Sequence, residues 1–258
     1  MASKAPVIRE ERNPLHLVPG TGPLTGRTDT SGNPIANRIL LDVTDREFEI
    51  LQPYLHYLEL PLHKSMHEAE DGISYGYFLN AGLSSLVIAM DDGRSVEVGI
   101  VGREGFIGAP LAAGINRTPY RALAQAAGNA VRIKAEVLEV NLPAMPDLRS
   151  QLNRYSQGQT LQVARLAACN RLHPIDQRLA RWILMCQDRL DEDLLPMTHE
   201  FFAEMLGSGR PSVSVSAAVL QRAGAIQYAR GTVKIVDRGR LEDLCCECYA
   251  VMRDYNEW

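Results

Sequence analysis

Between Pro196 and Val236 the chain reads PMTHEFFAEMLGSGRPSVSVSAAVLQRAGAIQYARGTVKIV, and few folds accept that order of signals. Thr198 is placed to cap a first helix whose Phe201, Phe202, Met205 and Leu206 make one apolar face. Gly207-Ser208-Gly209 stops it, because the two glycines tolerate left-handed backbone. A second helix restarts at Ser208 or Gly209, with Pro211 in its first turn, where a missing N–H is harmless. Its inner side is expected to be Val213, Ala217 and Leu220; its outer side Ser212, Ser214, Ser216 and Gln221. Two alternating runs, Ala225–Tyr228 and Thr232–Val236, flank a turn at Ala229-Arg230-Gly231 and predict a β-hairpin. Helix, glycine turn, helix and hairpin together make a winged helix-turn-helix, whose second helix is slim enough to enter a major groove.

Charge points the same way locally. From Met205 to Arg240 the basic residues are Arg210, Arg222, Arg230, Lys234, Arg238 and Arg240 against the single acid Asp237, a balance of +5. The whole chain carries −4. A concentrated positive face suffices to meet phosphate, whatever the sign of the remainder.

The run Leu206-Gly207-Ser208-Gly209-Arg210-Pro211-Ser212-Val213, followed by Leu220-Gln221-Arg222-Ala223-Gly224-Ala225-Ile226, resembles the turn and recognition helix of the Crp/Fnr family of bacterial transcription regulators. Members commonly begin that helix with Arg then Glu, and carry a second Arg four residues after the Glu. Arg210 matches the first position, but Pro211 stands at the Glu and Val215 at the second Arg. The resemblance implies DNA binding without transferring the family's best-known operator. The residues it nominates are Thr198, Ser208, Arg210, Pro211, Ser212, Ser214, Val215, Arg222, Arg230 and Lys234, with Arg210, Ser212 and Ser214 foremost.

The likeness continues upstream to about residue 35 and implies an α+β chain: an N-terminal double-stranded β-helix of the cyclic-nucleotide-binding type, a long dimerisation helix and the winged helix. The expected domains are an N-terminal arm at 1–33, rich in proline and glycine; a β-roll sensor at 34–145; the dimerisation helix at 146–173; and the DNA-binding domain at 174–258. Thr44-Asp45-Arg46-Glu47 fits a capping box for a short helix carrying Phe48, Leu51 and Leu55. Short apolar runs from Leu58 to Val140, split at Asp92-Gly93 and Gly128-Asn129, predict antiparallel strands joined by turns.

In the family's phosphate-binding cassette a Gly-Glu pair holds the ribose and an Arg-Ser or Arg-Thr pair holds the cyclic phosphate. Here Gly108 is followed by Ala109, and Arg117-Thr118 falls one residue early, with Pro119 behind it. Gly108, Ala109, Arg117, Thr118 and Arg121 are the candidate pocket residues of an eroded cassette, and cyclic AMP is not the expected effector. Some relatives hold an iron–sulfur cluster through N-terminal cysteines; the first cysteine here is Cys169, so no cluster of that kind is expected.

Two metal readings carry little weight at this stage. His56, His63, His67 and Glu68 crowd one stretch, but His63 and His67 on a strand would stand about 13 Å apart. Cys245, Cys246 and Cys248 sit on an expected C-terminal helix at 239–254, whose stripe is Leu241, Leu244, Cys245, Cys248, Tyr249 and Met252. Core packing is the preferred role, with Cys246 exposed, and no metal is expected.

From Asp147 to Asn170, Leu152, Tyr155, Gln159, Gln162, Leu166 and Cys169 recur at heptad spacing, which predicts a seam between two copies of the helix. The family pairs on its corresponding helix, so a homodimer reading an inverted repeat of double-stranded DNA is implied, and RNA polymerase contact with it. Pro174 ends that helix and marks a hinge. The next helix, Ile175 to Leu190, should bury Leu179, Trp182, Ile183 and Cys186. No nucleophile with a partnered base is visible, so an enzyme is not expected. With 46% hydrophobic and 22% charged residues, no apolar run of membrane-spanning length, no leader and five unpatterned cysteines, the cytoplasm is the expected compartment. The alternative is a small-ligand sensor, cyclic nucleotides included, whose DNA binding is weak or vestigial.

Overall fold

The computed structural model describes residues 26–229 and 231–255. Two long strands build the N-terminal roll, β3 (Tyr75–Ala89) and β6 (Arg121–Lys134), paired antiparallel along their length. Around them lie β1 (His56–Leu60), β2 (Ser65–His67), β4 (Ser95–Val101) and β5 (Phe106–Ile107), in the order β1-β6-β3-β4, with β2 on β6 and β5 on β3. The sequence divided β6 at Gly128-Asn129, yet the strand runs through it. Gly82 at φ +86° and Gly128 face each other across the ladder, and a Cβ on Gly128 would lie 2.1 Å from Ala81 O. Glycine here lets two strands bend and cross closely; it makes an irregularity in the register, not a turn. Gly93, at φ +82°, does make the expected turn between β3 and β4.

Before the roll come α1 (Arg38–Asp42) and α2 (Asp45–Leu51), with Phe48, Leu51 and Leu55 buried as expected. The capping box does not form. Thr44 makes no side-chain cap, and the buried Glu47 carboxylate instead accepts from Asp147 N (2.9 Å) and Leu148 N (2.7 Å). Those amides open α4 (Pro146–Leu172), a 27-residue helix that concentrates unpaired N–H groups and positive potential at its start, so it competes better for the carboxylate than a seven-residue helix does. Residues 26–33, assigned to the arm, are tied down. Asp29 accepts from Ser31 N and Asn33 N, both at 2.9 Å, and Arg27 donates to Leu40 O and Val43 O. The rest of the arm, residues 1–25, lies outside the described residues.

After α3 (Ala135–Asn141) and α4, α5 (Ile175–Leu190) joins the two halves. Its Leu179, Trp182, Ile183 and Cys186 are buried in one cluster with Leu83, Val87, Ile100 and Leu123 of the roll and with the winged domain. That domain contains α6 (His199–Met205), α7 (Arg210–Arg222) and a sheet of β7 (Leu194–Leu195), β8 (Ile226–Ala229) and β9 (Thr232–Ile235), in the order β7-β9-β8. The hairpin is as expected; the third strand, β7, comes from a segment read as the end of a loop. The expected single C-terminal helix is two, α8 (Arg238–Asp243) and α9 (Cys248–Asp254). The break between them turns Cys246 inward, 5% exposed, where the sequence reading left it in solvent.

Candidate functional site

Recognition geometry is assembled locally. Thr198 Oγ1 accepts from Phe201 N at 3.1 Å and starts α6. Gly207 alone uses left-handed backbone, at φ +56°; Gly209 sits at φ −71° as the N-cap of α7, with Pro211 behind it. Val213, Ala217 and Leu220 are buried, and Ser216 is buried with them. Position 216 lies three residues after 213 and four before 220, on the same helical face, so its outward assignment is corrected.

The wing is pinned to the helix. His199 stacks on Tyr228 at 3.9 Å between centroids, Ser214 Oγ lies 3.0 Å from His199 Nδ1, and Gln221 Oε1 accepts from Tyr228 N at 3.1 Å. Desolvation, then the Arg210 charge, hold His199 below the usual histidine range, so a neutral ring can accept the Ser214 hydroxyl. Of the ten nominated residues, Thr198 and Ser214 are engaged inside the domain, Ser208 is half-buried in the turn, and Arg230 lies outside the described residues. Solvent meets Arg210, Pro211, Ser212, Val215 and Arg222 on α7 and Lys234 on the wing. Arg210 faces Glu200 at 3.6 Å, both side chains mostly exposed, a pairing weak enough to exchange for a phosphate. Arg238 and Arg240 add less than the charge count implied. Arg238 bonds Asp188, Glu242 and Tyr249, and Arg240 donates to Ala223 O at 2.8 Å.

The pocket expected in the roll draws on distant segments. A cavity of about 380 Å³ lies between the roll and α4, lined by Leu86, Val98, Ile100 and Ala109 from one side and Gln159 and Val163 from the other. Among the described residues no charged side chain lines it. The five predicted pocket residues are not brought together there. Ala109 lines it, and Gly108, at φ +104°, precedes the 3₁₀ turn Ala109–Ala113. Arg117 is exposed; Thr118 is buried beside His67 Nε2 at 3.1 Å; Arg121 lies 3.6 Å from Glu204 of α6. A phosphate in this cavity would find amides and hydroxyls but no cation. His67 is thereby accounted for, and its ring is held below the usual range by burial.

Roll and winged domain touch directly. Ser95 Oγ donates to Glu204 at 2.7 Å, and Val96 packs where a Gly207 Cβ would stand. Arg178 reaches from α5 to Asn170 Oδ1 (3.2 Å) and to Leu206 O in the turn before α7. Two carboxylates of the roll, the half-buried Glu104 and the buried Glu97, also meet α5, and sequence reasoning found neither. Glu104 accepts from Arg189 Nε at 2.7 Å. Glu97 accepts from Trp182 Nε1 at 2.7 Å, and burial pushes it up to about 7. Ser85 Oγ stands between Glu97 Oε2 (2.6 Å) and Gln125 Oε1. One hydroxyl proton cannot serve two acceptors, so a protonated Glu97 donating to Ser85, which donates onward to Gln125, completes the chain.

Half of the predicted dimer seam turns toward its own chain. Leu152 and Cys169 are 0% exposed and Tyr155 8%, while Gln159, Gln162 and Leu166 are half-buried. Heptad spacing finds an apolar stripe but not what covers it. The exposed face of α4 is another row, Gln157, Leu161, Ala164 and Ala168, spaced four, three and four.

A winged helix-turn-helix behind a β-roll and a long helix defines the class: a two-part architecture that ends in a helix-turn-helix domain. Residues 177–244 match the family described as the Crp-like helix-turn-helix domain. No curated protein sequence matches the chain. Similar solved structures include a putative Crp/Fnr-family transcriptional regulator from Eubacterium rectale (18% identity, TM-score 0.66, covering 80% of this chain and 97% of that one). FixK2 from Bradyrhizobium japonicum is similar at 15% identity and TM-score 0.65, over 74% and 98% of the two chains. The c-di-GMP-responsive global regulator CLP of Xanthomonas campestris is similar at 17% identity and TM-score 0.63, over 74% and 99%. Residues 177–244 are thus a Crp-like helix-turn-helix domain, and the chain shares its fold with these Crp/Fnr-type structures. Among the described residues no helix is long and apolar enough to cross a membrane.

Proposed function

We propose that the chain acts as a homodimer that binds an inverted-repeat DNA sequence and regulates transcription from it, in the cytoplasm and in contact with RNA polymerase. The observation that carries the reading is the outer face of α7. Arg210, Ser212, Val215 and Arg222 are solvent-facing on the second helix of a Crp-like helix-turn-helix. Arg210 and Arg222 supply cations at the two ends of that helix, Lys234 supplies one on the wing, and Ser212 can reach a phosphate or a base edge. Val215 is 65% exposed in the middle of the face, where an apolar side chain fits a thymine methyl. Pairing through Gln157, Leu161, Ala164 and Ala168 would present two such helices about one DNA turn apart.

Control would pass from the cavity through α4 and through the Ser95–Glu204 contact to the turn before α7. With no cation in its walls, the cavity suits an uncharged ligand better than a cyclic nucleotide. The rival reading, a ligand sensor with weak DNA binding, draws on the absence of charge at Val215. Selection of genomic fragments on the purified protein, with sequencing of what is retained, separates the two. A recovered inverted repeat whose binding weakens steeply with salt supports the regulator; no enrichment at low ionic strength ends it.

A further inference from the structure

Four side chains from two distant parts of the chain converge behind the hinge. Cys169 and His173 occupy the end of α4 and the residue after it, one helical turn apart; Cys246 and Cys248 come from the break between α8 and α9. Cys169 Sγ lies 3.6 Å from Cys246 Sγ, Cys248 Sγ lies 3.6 Å from His173 Nδ1, and all four donor atoms fall within 4.8 Å of one another. A tetrahedral ion with metal–sulfur bonds of about 2.3 Å sets its ligand sulfurs about 3.8 Å apart. The cluster already has nearly that edge length. A four-iron cluster would seat each ligand on a different iron and spread the donors much farther.

The surroundings match what three thiolates, one imidazole and a divalent ion require. That set carries a net charge of −1, so a buried site wants cations beside it. Arg165 Nε donates to Cys248 Sγ at 3.1 Å. Arg181, 3% exposed, forms no ion pair among the described residues; its Nη1 points at the thioethers of Met185 (3.3 Å) and Met252 (3.7 Å), and its Nε meets no acceptor among the described residues. Its charge reaches Cys169 on one side and Glu97 on the other. An arginine so buried and so poorly paired is what a neighbouring anionic centre would stabilise. The histidine is also oriented as a ligand. Its Nε2 lies 3.3 Å from Glu247 Oε2, leaving Nδ1 aimed into the cluster, the carboxylate–histidine arrangement that fixes a ring for coordination.

We propose that Cys169, His173, Cys246 and Cys248 form a closed, structural zinc site that clamps the end of α4 to the C-terminal helices of the winged domain. Because His173 immediately precedes Pro174, the clamp spans the hinge and fixes how the recognition helix is carried relative to the long helix. Three sulfurs and one nitrogen with no open position favour zinc in a structural role.

The test uses the full chain, purified under reducing conditions, with metal content measured by elemental analysis. One zinc per chain is expected, falling to under a tenth in Cys169→Ser and unchanged in Cys245→Ser. Stripped protein reloaded with cobalt should show the absorption of tetrahedral cobalt with thiolate charge-transfer bands, and His173→Ala should alter that spectrum while leaving the fold intact by circular dichroism. If Cys169→Ser does not fold, chelation of the unmodified protein decides: it should lower the melting temperature, and added zinc should restore it. A metal-free chain with freely reactive thiols that ignores zinc and cobalt would overturn the site. So would a native Cys169–Cys246 disulfide detected by mass spectrometry.

Discussion

Glu104, half-buried, and Glu97, buried, both leave the roll and meet α5, but they are held in opposite ways. Glu104 has a full cation: Arg189 Nε at 2.7 Å, with side-chain exposures of 5% for the arginine and 12% for the acid. Glu97 has no ion pair among the described residues, only the indole N–H of Trp182 and the hydroxyl of Ser85, with the charges of Arg181 and Arg189 more remote. The first contact sets two opposite charges against each other, and the Glu104 carboxylate helps to hold Arg189 above its ordinary range. The second is held up to about 7, so it changes state within the physiological range. One surface between the roll and the winged domain therefore joins an ion-paired anchor to a proton-sensitive one.

The largest expected effect breaks the ion-paired anchor. Arg189→Ala removes a buried guanidinium and strands the half-buried Glu104 carboxylate, and should cost about 3 kcal/mol, read as a lowered denaturation midpoint; a loss under about 1 kcal/mol would mean that Glu104 finds water instead. Next comes the proton-sensitive contact. Glu97 sits near 7 when folded against an ordinary 4.5, so its contribution is complete below pH 4.5 and is lost as pH rises through 7. That slope amounts to on the order of 3 kcal/mol, and Glu97→Gln should flatten it in melts taken across the range. Were the two proteins to respond to pH alike, the contrast between the two carboxylates would collapse. Thr198→Ala removes a helix cap from the domain the anchors hold, and should lower stability by about 1 kcal/mol. Arg210→Ala is the smallest change in stability, within about 0.5 kcal/mol because its pair with Glu200 is exposed. It should nonetheless weaken DNA binding and reduce the slope of log affinity against log salt by about 1.

The winged domain was legible because its determinants are neighbours in sequence. A capping threonine, a glycine that must turn left-handed and a proline tolerated in a first turn all act within a few residues. Ser216 went wrong within that same element: its polarity was read and its phase ignored, although the positions of Val213 and Leu220 fix its side of the helix. The roll was legible as a class but not in its joints, since Gly82 and Gly128 allow a crossing where glycine more often signals a turn. Glu47 fitted a capping box locally and was captured by a helix 100 residues away. Leu152, Tyr155 and Cys169 of the expected dimer seam are buried in their own chain for the same reason, because a periodic stripe records burial and not the identity of the neighbour. The cysteine–histidine cluster was beyond local reading altogether. It depends on a helix break that sets Cys246 against a partner 77 residues earlier.

The hold of Glu47 on the start of α4 also limits how that helix can move. Both oxygens are committed to consecutive amides, so an axial slip of a single residue, about 1.5 Å, would leave one amide without its acceptor. The near end of the rod is thus a bearing fixed in place, free to swivel but not to piston. A tilt of the rod about that bearing would displace its far end most, where Cys169 and His173 stand.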